Sequence, residues 1–156
     1  MRGMKLGVLA VLGAAVIVSG CQTAAVDKVE TTAIVPETRD ISAADLTDGK
    51  AQFRDANYGL AEQHFRKAVE LRADNAEAWM GLAASYDQLG RFDFADRAYA
   101  QLINVAGRQP QIVNNMGYSK LLRGDKKAAR KLLDEANRML PGDAVVAANL
   151  ALLRNG

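Results

Sequence analysis

Residue types that could carry out catalysis or bind metal are scarce in this chain. Its 156 residues include one histidine, His64, and one cysteine, Cys21. A metal site built on two histidines therefore cannot form within one copy. Carboxylates are common, but pairs such as Asp93 and Asp96 stand where a helix is expected to begin, and acidic side chains there stabilise the helix dipole. We therefore expect no catalytic residues, no metal and no cofactor, and hence no enzyme.

The residues before Cys21 predict export from the cytoplasm. Arg2 and Lys5 form a positive head, and residues 6–18 contain only Leu, Gly, Val, Ala and Ile. This arrangement is typical of a signal peptide. The apolar stretch is shorter than the roughly 20 residues that a membrane-spanning helix needs. We predict that residues 1–20 are a signal peptide.

The block Val18-Ser19-Gly20-Cys21 resembles the lipobox of bacterial lipoproteins. The resemblance implies that cleavage leaves Cys21 as the first residue, carrying fatty acyl chains such as palmitate. Several acyl chains hold a protein stably on a membrane, whereas one chain does so only marginally. Gln22 stands where Asp usually signals retention in the inner membrane, so the resemblance implies the periplasmic face of the outer membrane. The alternative is an ordinary secretory signal with an incidental cysteine.

The charge balance argues against a nucleic-acid partner. The chain has 20 basic and 18 acidic residues, and residues 1–20 hold two of the basic ones and none of the acidic ones. The remaining chain is therefore balanced, with 18 of each, and it has no basic block. Residues 22–41 contain Pro36 and show no helical pattern, so residues 21–41 are expected to be a lipidated cysteine and a flexible tether.

A regular repeat organises the rest of the chain. Ala61, Ala95 and Ala129 are evenly spaced, and the residues four positions later are Phe65, Tyr99 and Leu133. A small residue recurs in the same register at Gly49, Ala83, Gly117 and Ala151. The period is about 34 residues, a length typical of repeats that stack into a solenoid.

The residues at these positions resemble the tetratricopeptide repeat. The second copy shows the motif best, with a first helix holding Trp79, Leu82, Ala83 and Tyr86 and a second holding Ala95 and Tyr99. The resemblance implies an all-α solenoid of three helix pairs, followed by a C-terminal capping helix. Small residues let paired helices approach closely, and the three aromatic residues are expected to fill the space between pairs.

Capping and breaking residues agree with helix pairs of this length. Asn75 is a candidate N-cap, Pro110 suits a first helical turn, and Gly124-Asp125 and Gly142-Asp143 each read as a stop and a cap. The predicted helices are 42–55, 58–72, 76–89, 92–106, 110–123, 126–140 and 144–154. The predicted units are repeats at 42–75, 76–109 and 110–143 and a capping helix at 144–156.

The first helix departs from the repeat pattern. Its positions for large residues hold Asp45, Asp48 and Gln52, whereas Leu46, Gly49 and Phe53 form a better apolar stripe. Either this helix is rotated by one residue or it is a polar outer cap.

The tetratricopeptide resemblance also implies a concave groove, lined by the first helix of each pair, that binds a protein or peptide segment. Asn114 and Asn115 could pair with the backbone of a bound segment, or they could cap and solvate the helix start. A clamp for a C-terminal carboxylate is disfavoured, because Met80, Gly81 and Asn114 stand where such clamps use lysine and arginine. The predicted groove residues are Lys50, Met80, Ala84, Asp87, Asn114, Asn115, Tyr118 and Leu121.

Residues 114–119 and 121–125 give the chain a further resemblance, to the lipoproteins of the Flp (Tad) pilus assembly system and to type IV pilotins. These proteins are implicated in bringing a secretin ring to the outer membrane. The resemblance implies an adaptor that assists a pilus secretin. The alternatives are a periplasmic scaffold for cell-wall hydrolases or for outer-membrane protein assembly, a wall-active enzyme, and a self-assembling scaffold. The oligomeric state is not predicted by the sequence.

Overall fold

The computed structural model describes residues 40–155, and this part of the chain contains seven helices and no strand. The all-α prediction is confirmed, and each helix boundary lies within one residue of the predicted one. The expected signal peptide, Cys21 and most of the expected tether lie outside the described residues. The helices are α1 (Ala43–Arg54), α2 (Tyr58–Leu71), α3 (Ala76–Gln88), α4 (Phe92–Ala106), α5 (Pro110–Leu122), α6 (Lys126–Met139) and α7 (Ala144–Asn155).

The helices pack as three pairs and a final single helix. α1 packs on α2, α3 on α4, and α5 on α6, and α7 packs on both α5 and α6. The first helices of successive repeats also contact one another, from α1 to α3, α5 and α7. These four helices therefore share one face of the solenoid. None of the seven helices in residues 40–155 has the length and hydrophobicity that crossing a membrane requires.

The predicted caps are present. The Asn75 side chain accepts a hydrogen bond from the Ala78 backbone N–H at 3.0 Å, and Asp125 accepts one from Ala128 at 2.9 Å. Asp143 accepts from the N–H groups of Val145 and Val146. Each of these side chains satisfies backbone donors that have no partner within the helix. The caps thus fix where α3, α6 and α7 begin.

Two repeats pack a large side chain of the second helix on a glycine of the first. A Cβ atom added to Gly49 would lie 2.8 Å from the Phe65 ring, and one added to Gly117 would lie 2.7 Å from the Leu133 side chain. Phe65 and Leu133 are buried. Real Cβ atoms do not approach other atoms this closely, so these positions require glycine for the helices to pack at their observed distance.

The first helix keeps the register of the repeat and is neither rotated nor a simple polar cap. Gly49 occupies the position for a small residue, and Asp45 is buried at the position that Trp79 holds in the next repeat. Burial opposes ionisation of Asp45, but hydrogen bonds from Lys67 and His64 outweigh it and keep the pKa of this carboxyl below its ordinary value. The Asp45 oxygens lie 3.0 Å from Lys67 Nζ and 3.3 Å from His64 Nδ1.

Two expectations need correction, one about the core and one about where the tether ends. Tyr86 and Tyr99 are buried as expected, but Trp79 is only half-buried at the edge of the core, where its indole N–H donates to the Ala73 carbonyl at 2.8 Å. Asp40, which falls in the expected tether, is bound to Arg72 Nη1 at 2.8 Å and to the Ser42 hydroxyl at 2.7 Å. The folded unit therefore begins no later than Asp40.

The turn between α1 and α2 contains a strained residue. Ala56 has φ of 60°, whereas the equivalent turn before α4 holds Gly90 at φ of 69°. Left-handed backbone costs a residue with a Cβ atom about 1–2 kcal/mol.

We expect Ala56→Gly to raise the free energy of unfolding by about 1 kcal/mol, and Gly90→Ala to lower it by a similar amount. Urea unfolding of both variants measures this, and two changes of the same sign would contradict it.

Candidate functional site

The clearest pocket on the shared face of the first helices lies between α1 and α3. It has a volume of about 430 Å³. Its walls are mostly apolar, and charged side chains stand at its edge. We call it the α1–α3 pocket, and it is lined by Lys50, Phe53, Arg54, Phe65, Glu77, Met80, Gly81 and Ala84.

Gly81 makes this pocket possible. A Cβ atom at this position would lie 2.4 Å from the Phe65 ring, which also packs on Gly49 of the neighbouring helix. One ring from α2 therefore packs against a glycine on each of two first helices. Because Gly81 has no side chain, the Phe65 ring can pack against its backbone, and Phe65 is one of the residues that line the pocket.

The charges at the pocket edge are partly neutralised. Lys50 of α1 forms an ion pair with Glu77 of α3, and both side chains are well exposed to solvent. Such exposed pairs contribute little to stability and exchange easily with other charged groups. The guanidinium group of Arg54 has no hydrogen-bond or ion-pair partner among residues 40–155. The rim can thus offer positive charge to a bound segment.

The predicted groove residues do not line a single continuous groove. Lys50, Met80 and Ala84 line the α1–α3 pocket, and Asn115 donates to the Met80 sulfur at 3.0 Å. Tyr118 and Leu121 line a smaller hollow, of about 300 Å³, together with Leu122, Lys126, Leu152 and Leu153.

Asn114 is buried, contrary to the expectation of an exposed groove residue. Its side-chain oxygen accepts from the Asn149 amide at 2.9 Å, and its amide donates to Asn115 at 3.3 Å. It therefore does not cap the helix, and with Asn115 it lines a small hollow beside Gln111 and Val145. Its hydrogen bond joins α5 to α7.

Asp87 is also buried and has a structural role. Its two carboxylate oxygens accept from the hydroxyl of Tyr99 at 3.0 Å and from that of Ser119 at 2.6 Å. These bonds join α3, α4 and α5, so they connect the second repeat to the third. Burial raises the pKa of the Asp87 carboxyl above its ordinary value, and the two hydrogen bonds and nearby Arg123 offset this only in part.

Several lining residues were not predicted. Phe53, Arg54 and Glu77 were missed because the sequence alone does not show which residues of one first helix lie beside the next first helix. Leu152 could have been predicted, because Ala84, Tyr118 and Leu152 occupy the same position in successive repeats. Within residues 40–155, no group of three or more metal-ligating side chains comes together.

Residues 52–114 match the sequence profile of the tetratricopeptide repeat family. The helix pairs, their period and this match agree. The fold is a tetratricopeptide-repeat solenoid. The chain is also 27% identical, over 113 residues, to the cytochrome c-type biogenesis protein CycH of Pseudomonas aeruginosa. That match covers 71% of this chain but only 28% of the length of CycH.

Solved tetratricopeptide-repeat structures superpose well on this chain. The TPR domain of Arabidopsis OM64 has a TM-score of 0.65 at 18% identity, covering 73% of this chain and 94% of that domain. Pseudomonas aeruginosa pilF has a TM-score of 0.62 at 24% identity, covering 73% and 52%. The second TPR domain of human RPAP3, solved with an HSP70 peptide, has a TM-score of 0.62 at 18% identity, covering 72% and 95%. These identities establish the fold alone.

The raised pKa of Asp87 predicts a pH-dependent effect of its replacement. Between the ordinary pKa of an aspartate and the raised folded-state pKa, the folded state holds a proton that the unfolded state has released, so stability falls as pH rises. Asn at this position does not titrate, so Asp87→Asn removes this fall in stability with rising pH. We expect the stability of Asp87→Asn relative to wild type to improve from about pH 4 to pH 7.

Asp96→Asn is the matched control, measured by urea unfolding at the same two pH values. Burial opposes ionisation of Asp96, but hydrogen bonds from Arg123 and Lys120 hold its pKa below the ordinary value. Its stabilisation is present above the unfolded-state pKa and is lost only in stronger acid. The relative stability of Asp96→Asn should therefore stay level or fall from about pH 4 to pH 7. A level or falling curve for Asp87→Asn would contradict the burial of an ionised Asp87.

Proposed function

We propose that this protein is a lipid-anchored adaptor that holds a segment of a partner protein in the α1–α3 pocket. The observation that carries the proposal is an apolar pocket on the shared face of the first helices, edged by Lys50, Arg54 and Glu77. An apolar pocket with a few polar groups at its edge suits an anchoring side chain. The RPAP3 domains solved with HSP70 and HSP90 peptides show that this fold can bind peptides.

The partner we propose is a secretin of a Flp/Tad-type pilus at the outer membrane. The support is the sequence resemblance of residues 114–125 and the shared fold of Pseudomonas aeruginosa pilF. A lipid on Cys21 would confine the adaptor to the membrane where the secretin is assembled. Confinement raises the effective concentration of the two proteins, so a pocket with micromolar affinity would suffice.

A second candidate is an adaptor in cytochrome c assembly. It is favoured by the similarity to CycH, which extends over 113 residues. It shares with the pilus proposal a pocket that binds a protein segment, and it differs only in the partner. A scaffold for cell-wall hydrolases or for outer-membrane protein assembly differs in the same way.

The anchor is tested by Cys21→Ser. Without the thiol no acyl chain can be attached, so we expect the variant to leave the membrane fraction while its thermal unfolding midpoint stays unchanged. Cell fractionation and circular dichroism measure the two properties. A variant that remains in the outer-membrane fraction would show that Cys21 is not the anchor.

The pocket is tested by Ala84→Glu, which places a carboxylate in the apolar lining. Burying this charge against a bound apolar side chain should weaken partner binding by about tenfold or more. The matched control is Ala100→Glu, on the exposed side of α4 and outside the pocket.

Wild type, Ala84→Glu and Ala100→Glu are each crosslinked in cells and purified, and the proteins recovered with them are identified by mass spectrometry. We expect a secretin with wild type and Ala100→Glu and its loss with Ala84→Glu. Cytochrome assembly proteins or wall hydrolases could instead be recovered with wild type and Ala100→Glu and lost with Ala84→Glu. That result would support binding in the pocket but rule out the pilus secretin as the partner. Equal recovery with both variants would show that the pocket does not bind.

A further inference from the structure

The second helix of the third repeat, α6, carries a row of basic side chains on its outer side. Its buried residues, at positions 129, 133 and 136, pack towards α5 and α7. On a helix of 3.6 residues per turn, four basic residues fall within about 100° of one another, on the side away from the buried ones. All four are exposed to solvent. We call this row the α6 basic face, and it consists of Lys127, Arg130, Lys131 and Arg138.

The charge of this face is not balanced by acidic residues between positions 40 and 155. None of its four side chains has an ion-pair partner in that part of the chain. Of the two acidic residues in α6, Glu135 is already held by Arg108, whose Nε and Nη2 donate to its carboxylate at 2.7 and 2.8 Å. Asp134 lies among the four cations and offsets one of them. The α6 basic face therefore keeps an excess of three positive charges.

The repeat fold does not require basic residues at these positions. Elsewhere in the solenoid, basic side chains are commonly neutralised: Arg72, Lys120 and Arg123 each lie within 3.1 Å of an aspartate oxygen. The other two second helices are acidic or neutral where α6 is basic. In repeat register, the four positions hold Asp93, Asp96, Arg97 and Asn104 on α4, and Gly59, Glu62, Gln63 and Glu70 on α2.

A row of unpaired cations on one exposed helix suits a plane of anionic headgroups. The row is about 16 Å long, and the long side chains of lysine and arginine can adjust to a fluid surface. Each basic residue close to an anionic membrane adds to the attraction. We infer that the α6 basic face binds the surface of a membrane that contains anionic phospholipids.

This contact would orient the solenoid with its shared face turned away from the membrane. Gly117 of α5 packs on Leu133 of α6, whereas Gln111, Asn115 and Tyr118 lie on the other side of α5, on the shared face of the first helices. A membrane against α6 would thus leave the shared face open to a partner. Lipid on Cys21 would add a second attachment, and two attachments hold more firmly than one. The inference does not depend on that lipid or on what the α1–α3 pocket binds.

The contact is tested with an environment-sensitive fluorophore on an introduced cysteine. In the full chain carrying Cys21→Ser, no native thiol remains. Asn137→Cys places the fluorophore beside the α6 basic face, and Ala100→Cys places it on α4, both at exposed positions. The vesicles are made of phosphatidylcholine alone or of equal parts phosphatidylcholine and phosphatidylglycerol. Because the fluorophore reports its own surroundings, attachment through residues 1–20 alone would not imitate contact by α6.

We expect emission from position 137 to shift to shorter wavelength on the mixed vesicles and to stay unchanged on phosphatidylcholine alone. Position 100 should show no shift on either. Raising the salt from about 0.1 M to about 1 M shortens the screening length from about 10 Å to about 3 Å and should abolish the shift. An equal shift on both kinds of vesicle, or none on the mixed vesicles, would overturn the inference. A shift with polyglutamate and none with vesicles would also overturn it, by assigning the face to an acidic protein.

Charge variants separate the α6 basic face from the net charge of the chain. Lys127→Gln combined with Lys131→Gln removes half of the cations of the face, so most of the shift at position 137 should be lost. The matched control is Arg54→Gln combined with Arg97→Gln, which lowers the net charge equally on α1 and α4 and should keep the shift. All four side chains are exposed, so circular dichroism should give unfolding midpoints near that of the parent chain. Equal loss in both double variants, or none in either, would contradict binding by this face.

Discussion

The fold depends on the close approach of the two helices within each repeat. The glycines at positions 49 and 117 leave no room for a Cβ atom beside Phe65 and Leu133, so the large side chains of the second helices rest on the backbones of the first. The fold cannot rely on disulfides, because the chain has one cysteine, and this packing must supply much of its stability. The regular spacing of small and large residues along the sequence reflects this contact.

The same contact shapes the candidate site. Phe65 packs on Gly49 and on Gly81 at once, so it joins the first two repeats and lines the α1–α3 pocket. A core residue and a binding-site residue are therefore the same side chain. At the next joint the equivalent ring, Tyr99, adds a polar contact: its hydroxyl donates to buried Asp87, which also accepts from the Ser119 hydroxyl. The two joints thus differ in chemistry although the helices follow one pattern.

The sequence predicts the helices well because periodicity, caps and glycines act locally. Asn75, Asp125 and Asp143 cap their helices, and Gly124 and Gly142 adopt positive φ as expected of stop residues. The site was predicted less well because burial is set by the neighbouring repeat. Asp87 and Asn114 stand at groove positions by register, yet their hydrogen bonds to Ser119 and Asn149 hold them inside. Such partners, 32 and 35 residues away, cannot be read from a local pattern.

If a partner segment lies in the α1–α3 pocket, a crosslinker placed in that pocket will contact it directly. A photoreactive amino acid would replace Phe53 in the pocket or, as a comparison, Gln101 on the exposed side of α4, and the cells would then be irradiated. We expect one discrete crosslinked partner from position 53 and none from position 101. A partner crosslinked from position 101 but not from position 53 would contradict it, because binding would then take place on the opposite face.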